Sequence, residues 1–199
     1  MENDLILASA SPIRAQMLRA AGLSIAIDSP RVDETTIKHA LLAEEATPHD
    51  IADALAEAKA RKIANRHAGA RVLAADQVLA QGTDLFSKPE TRTEAHDQLL
   101  RLRGKTHVLL SAAVLYENAE PVWRHVGRAR LTMRAFSDAF LEDYLDRNWP
   151  EVGNSVGAYK LEEEGIRLFS HIEGNHFTIL GLPLLELLNF LSVRGTIAA

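Results

Sequence analysis

The stretch Leu5 to Leu18, LILASASPIRAQML, constrains the fold of this chain more than any other. Leu5, Ile6 and Leu7 read as a buried strand. The chain then passes through Ser9 and Ser11 to Pro12, and a helical pattern begins, with Met17, Leu18 and Ala21 on one face and Gly22 as its stop. Ser11 before Pro12 suits a helix opening: a hydroxyl caps the free amides, and proline takes the first helical position, where no amide hydrogen is needed. Free amides at such a turn, two hydroxyls and Arg14 together make a site for an anion such as phosphate. On this segment alone an ordinary capped turn is the commoner arrangement.

Strand-like and helix-like segments go on alternating. Leu23 to Ile27 leads into an acidic turn, Arg31 to Thr35. Residues 48–66 predict an amphipathic helix opened by Pro48, with Ile51, Leu55, Ala58, Lys62 and Ile63 near helical spacing. Val72 to Leu79, VLAADQVL, predicts an apolar strand interrupted by Asp76 and Gln77. Thr93 to Arg103 reads as a helix ended by Gly104. His107 to Tyr116 and Trp123 to Met133 read as an antiparallel pair around Asn118 to Pro121. Residues 137–147 predict a serine-capped helix, and Gly181 to Leu191 a final one. The alternation predicts an α/β fold, and the two successive strands make its sheet mixed.

With 199 residues and 47% hydrophobic residues the chain can bury a real core, as one domain or two small lobes. A formal net charge of −5 argues against a broad nucleic-acid-binding surface. The absence of cysteine excludes disulfides and thiolate metal sites. No long uncharged apolar span occurs, and residues 1–4 (MEND) lack the basic start of a signal peptide, so the expectation is a soluble, cytoplasmic protein with no membrane partner.

Several polar residues break apolar patterns. Asp76 ends the run Val72 to Ala75; a carboxylate there is costly unless paired, metal-bound or at a strand's open end, and a turn aspartate reads equally well. Lys88, held in Ser87-Lys88-Pro89, is a candidate phosphate ligand or an ordinary loop lysine. Lys59 lies about one turn from Leu55 and Ala56; on that face it needs an anionic partner, unless its stem merely covers apolar surface. Asp33 and Glu34 offer a Mg²⁺ ligand, an ion-pair partner or a solvated turn. Gly157 and Ala158 before Tyr159 permit close backbone approach to a ligand. His107, His171 and His176 show no metal-ligand spacing and read as structural or surface groups.

The order of these features resembles the Maf family of nucleotide pyrophosphatases over nearly the whole chain. The matching segments are ASASPIR (8–14), VDET (32–35), the lysine of LAEAKA (55–60), AADQV (74–78), SKP (87–89), GKTH (104–107), VGAYKLE (156–162), IEG (172–174) and GLPL (181–184). The resemblance implies an elongated α/β fold with a cleft between two lobes, similar to the inosine triphosphate pyrophosphatases, in a single domain over 1–199, often as a homodimer. It implies hydrolysis between the α and β phosphates of a nucleoside triphosphate, assisted by Mg²⁺ or Mn²⁺, giving the monophosphate and pyrophosphate in a house-cleaning role. Asp76 is then the acceptor that activates water or a metal carboxylate, two roles the sequence does not separate. Ser9, Arg14, Lys59 and Lys88 hold the triphosphate, and Glu34 assists at the metal. The division is chemically sensible, because phosphoanhydride cleavage depends mostly on positioning and charge neutralisation.

Within the family, Ile13, Gln77 and Glu162 resemble the branch that cleaves 7-methyl-GTP, and differ from the dTTP and UTP branch with its Arg-Arg, threonine and glutamine. A carboxylate at 162 suits the donor edge of an N7-methylated guanine. Ile13 stands where that branch commonly has tryptophan, Ala15 where a second arginine is usual, and Arg103 where serine precedes the glycine. A second reading attached to the family is a nucleotide-binding regulator of septum formation, for which the acidic balance argues against direct DNA contact.

Overall fold

The computed structural model describes residues 5–198, so the expectation drawn from residues 1–4 lies outside the described residues. Strand β1 (Leu5–Ala8) passes into helix α1 (Pro12–Ala20), then β2 (Ile25–Ile27), α2 (Glu34–Ala43) and α3 (Pro48–Ala64). The long strand β3 (Arg71–Gln81) turns back into β4 (Asp84–Phe86), followed by α4 (Arg92–Leu102). A hairpin of β5 (Thr106–Glu117) and β6 (Glu120–Met133) precedes α5 (Asp138–Asn148), two 3₁₀ turns, β7 (Phe169–Glu173), α6 (His176–Ile179) and α7 (Leu184–Val193).

The seven strands form one sheet in the order β2-β1-β3-β5-β6-β7, with β4 also on β3. Pairing is parallel among β1, β2 and β3 and antiparallel elsewhere, so the mixed α/β architecture expected from the sequence is present. Ser11 caps α1 through its hydroxyl and Pro12 opens that helix. The β5–β6 turn holds Asn118 and Ala119 at positive φ, the twist a two-residue hairpin connection needs. No helix among the described residues is long and apolar enough to cross a membrane.

Three expectations change. Asp76 and Gln77 do not interrupt β3, which continues to Gln81 because β5 pairs with it from Arg71 to Ala80. The acidic turn opens a helix, since Asp33 accepts from the Thr36 amide as the N-cap of α2. The last helix begins at Leu184, not Gly181: Gly181 sits at positive φ and Pro183 follows, so α6 and α7 are separate.

Both faces of the sheet are covered. On one, Ala52, Ala56 and Ala60 of α3 meet Ala8, Ala74 and Ala112. Small residues at helical spacing let this helix lie close to the strands, which brings Lys59 within reach of β3. On the other, Met17 and Leu18 of α1 and Leu184, Leu187 and Leu191 of α7 cover Leu73, Ala75 and Leu115. At the far end of the strands α4 and α5 enclose Leu79, Leu109, Tyr144 and Tyr159. Each fully buried leucine in these layers contributes roughly 2 kcal/mol.

Candidate active site

Strand β1 pairs with β3 only over Val72 to Ala74, and β4 only over Leu79 to Gln81. Between them, Ala75 to Val78 has no strand neighbour on that edge. Because β1 runs parallel and β4 antiparallel to β3, both chains head into this gap. They deliver Ser9 and Lys88 from opposite sides. Asp76 lies in the gap, on the face of β3 that α3 covers.

Asp76 is 6% exposed, so it needs a partner. The Lys59 ammonium donates to Asp76 Oδ1 at 2.5 Å and lies 2.8 Å from Glu34 Oε1, bridging the two carboxylates. This resolves two open readings: Asp76 is not a turn residue, and Lys59 does more than cover apolar surface with its stem. Burial works against the Glu34 charge, but the hydrogen bond and charge of Lys59 prevail and hold Glu34 below the usual carboxylate range.

Arg14 ties the gap to the neighbouring loops. Its Nη1 donates to Ala75 O at 2.7 Å and to Ser9 Oγ at 3.2 Å, and its Nε donates to Gly181 O at 2.8 Å. The guanidinium thus satisfies a carbonyl that the short β1 leaves unpaired. Its Nη2 has no acceptor among the described residues. Burial lowers the Arg14 pKa while Asp76 and Glu34 draw it up, and a guanidinium stays charged through such shifts. Lys88 makes no direct ion pair among the described residues. Partial desolvation of its ammonium lowers its pKa first, and repulsion from Arg14 second. Three cations therefore face two carboxylates around one gap, an arrangement with spare positive charge for a polyanion.

Gln77 points to the opposite face. Its Nε2 donates to Ser111 Oγ at 3.0 Å, Ile179 O at 2.9 Å and Thr178 O at 3.2 Å, while Ser111 Oγ donates to Thr178 O at 2.7 Å. The side chain is spent on fastening α6 to the sheet. Ile13 and Glu162, by contrast, share a cavity of about 430 Å³ with Met17, Phe177, Leu180 and Leu188. Glu162 is exposed on this largely apolar lining, which also holds Gln16, and has no hydrogen bond or ion pair among the described residues. Gln77 reaches that cavity indirectly, since Thr178 and Ile179 lie between the lining residues Phe177 and Leu180. Arg14 adjoins both regions, as its Gly181 contact follows Leu180 and its Ala75 contact precedes Asp76.

Other expectations fall away from the site. The close approach that Gly157 allows is to Leu79 and the Tyr159 ring, where a Cβ would meet carbons at 2.6 and 2.8 Å, so it serves the core and not a ligand. Arg103 bonds Phe136 O and Asp138. His107 is buried against Tyr159, consistent with the structural reading, and among the described residues no group of three His, Cys, Asp or Glu could hold a metal by itself. Sequence reasoning missed Ser111 and Phe177. Ser111 did leave a signal, as the lone serine in the apolar run Val108 to Tyr116, VLLSAAVLY.

The family model described as Maf-like protein matches residues 4–194. A nucleoside triphosphate pyrophosphatase from Ruegeria pomeroyi is 60% identical over 193 residues, 97% of each chain. A 7-methyl-GTP pyrophosphatase from Rhizobium meliloti is 47% identical over 195 residues, 98% of each. Among solved structures, a HAM1 protein from Coxiella burnetii aligns over 66% of this chain and 73% of its own, at 18% identity and a TM-score of 0.45. A match over almost the whole length, with relatives at these identities, means that the chain belongs to the Maf-like protein family.

Proposed function

We propose that this protein is a nucleoside triphosphate pyrophosphatase that cleaves the α–β phosphoanhydride, with 7-methyl-GTP as its preferred nucleotide. The observation that carries the reaction is the convergence of Asp76, Glu34, Lys59, Lys88, Arg14 and Ser9 on one interruption in the sheet. The named relatives support the same chemistry.

The donor set fits a divalent cation. Asp76 and Glu34 both reach the Lys59 ammonium, so their oxygens already converge on one positive centre. Two carboxylates suit Mg²⁺ or Mn²⁺ arriving with its phosphates, which complete the coordination. Asp76 and Glu34 are the residues that would hold it. When bound, such an ion neutralises phosphate charge and acidifies an attacking water. The remaining roles belong to the chain. Lys59, Lys88 and Nη2 of Arg14 oppose the charge of the triphosphate, and Ser9 offers a hydroxyl at the mouth of the gap. Asp76 is the carboxylate that would accept a proton from the attacking water. Its buried, ion-paired setting fixes its direction, and preorganised charge of this kind is where phosphoryl transfer gains most of its rate. In this reading the chain is a single domain with its lobes on either side of the cleft.

The apolar cavity beside Arg14 is the place for the base. Glu162 supplies acceptors only, which match the N1–H and N2–H₂ donors of a guanine, and N7 methylation adds positive charge for the carboxylate. Phe177 offers an aromatic face in a cavity where residue 13 is isoleucine.

The test is pyrophosphate release with Mg²⁺ from 7-methyl-GTP, GTP, dTTP and UTP. The expected order places 7-methyl-GTP first. Preference for dTTP or UTP would keep the reaction and overturn the roles given to Gln77 and Glu162. Release from none of them would overturn the enzymatic reading.

A further inference from the structure

We propose that Ser111 is a positioning residue for nucleotide selection, acting through α6 and not through the phosphate cluster. The inference rests on the pyrophosphatase reading and adds to it a residue outside the cavity. Strand register aligns Gln77, Ser111 and Gly127 in a row across β3, β5 and β6. On this face their neighbours are apolar, including Ala75, Leu79, Leu109 and Ala113. The row is a polar notch in an otherwise hydrophobic sheet, and α6 docks into it.

The fit is determined at both ends of the notch. Ser111 is fully buried, and its hydroxyl is used twice: it accepts from Gln77 Nε2 and donates to Thr178 O. The second hydrogen of Gln77 Nε2 remains for the Thr178 and Ile179 carbonyls. Without Ser111 one Gln77 hydrogen loses its acceptor, and the Thr178 carbonyl loses a donor. At the other end, a Cβ on Gly127 would stand 2.6 Å from Thr178 Oγ1 and 2.9 Å from its Cγ2, so only glycine lets α6 sit so low. Thr178 is thus held from above by a hydrogen-bonded pair and from below by an absent side chain.

What α6 carries makes this placement matter. Phe177 and Leu180, on either side of the anchored carbonyls, line the cavity that holds Ile13 and Glu162. The next residue, Gly181, gives its carbonyl to Arg14. A small displacement of α6 therefore changes the shape of the base cavity first, while Asp76, Lys59 and Glu34 remain on the far face of β3. Sites held by a locked supporting layer lose selectivity when that layer loosens by about 1 Å.

The experiment measures kcat and KM for 7-methyl-GTP, GTP, dTTP and UTP in the wild type, Ser111→Ala, Ser111→Cys and Gly127→Ala, with a thermal melt of each. Ser111→Cys leaves no cavity, being slightly larger than serine, and weakens the hydrogen bond, so it stands in if the alanine variant fails to fold. Gly127→Ala displaces the same threonine without touching the hydroxyl. The expected result is a KM for the best nucleotide raised roughly tenfold, the loss associated with one buried hydrogen-bonding group left unpaired. kcat should fall much less, and preference over the next nucleotide should shrink by a similar factor. Folded variants that keep the wild-type preference, with any loss shared equally by all nucleotides, would overturn the positioning role alone. A wild type that cleaves none of the four would overturn the pyrophosphatase reading and this inference together.

Discussion

Asp76 and Gln77 are consecutive in β3, but alternation along the strand sends them into opposite environments. Asp76 enters a charged cluster with Lys59 and Glu34, beside a gap open to solvent on the strand edge. Gln77 enters a neutral, partly buried network whose donors are all used within the protein. The first arrangement keeps charge available for a polyanion. The second spends its amide donors within the protein and serves as a fastening. One strand thereby separates charge from shape: the α3 face carries the ion-paired cluster, and the α6 face fixes the wall of the adjoining cavity.

The most severe way to break this division is Asp76→Asn, which keeps the size and removes the charge. Turnover should fall by about 10³-fold or more, in line with removing a positioned general base or charge stabiliser, while the protein stays folded because Lys59 keeps Glu34 as its partner. Full retention of pyrophosphate release would remove Asp76 from the reaction. Lys59→Met comes next. It leaves Asp76 buried without its partner, so folding stability should drop by roughly 3 kcal/mol along with activity. Denaturant titration checks this, and an unchanged midpoint would mean that the ion pair contributes nothing to folding.

Acidification sharpens the contrast from the neutral side, where His107 is the buried titratable group beside Tyr159. Burial pulls its pKa from 6.5 to about 4. The unfolded chain takes up a proton near 6.5 that the folded chain refuses until about 4. The contribution is therefore complete above the unfolded value and is lost as the pH falls through that window, by roughly 3 kcal/mol. Denaturation of wild type and His107→Asn at several pH values isolates this share from that of the carboxylates. Parallel profiles for the two proteins would rule it out. The smallest effect is expected for Glu162→Gln. Cleavage of 7-methyl-GTP should fall about tenfold relative to GTP, the worth of one charge-assisted contact, with the melting temperature unmoved because Glu162 is exposed and has no ion pair among the described residues. Equal rates on both nucleotides before and after the change would remove Glu162 from base reading.

Much of this was legible in the chain. Local signals predicted the elements they control: Ser11-Pro12 opens α1, Ser137 opens α5, and the apolar runs on either side of Asn118 form the hairpin. The residues that break apolar patterns, Asp76 and Lys59 above all, met in space, because a charge on a buried surface is tolerated only where another charge answers it. What stayed hidden has a common cause. Helix α2 buries none of its residues completely, so it carries no strong hydrophobic stripe to announce it. Ser111 and Gly127 look like small filler in β5 and β6, and only strand register puts them in line with Gln77.

The sequence by itself determined the alternation of strands and helices, their caps, and which polar side chains needed partners, since these depend on residues a few positions apart. Tertiary structure alone decided that β1 and β4 stop short of each other on β3, that Lys59 bridges Asp76 and Glu34, and that Gln77 turns away from them. Those outcomes depend on register and on the distance between α3 and the sheet, and both are set by packing between segments far apart in the chain.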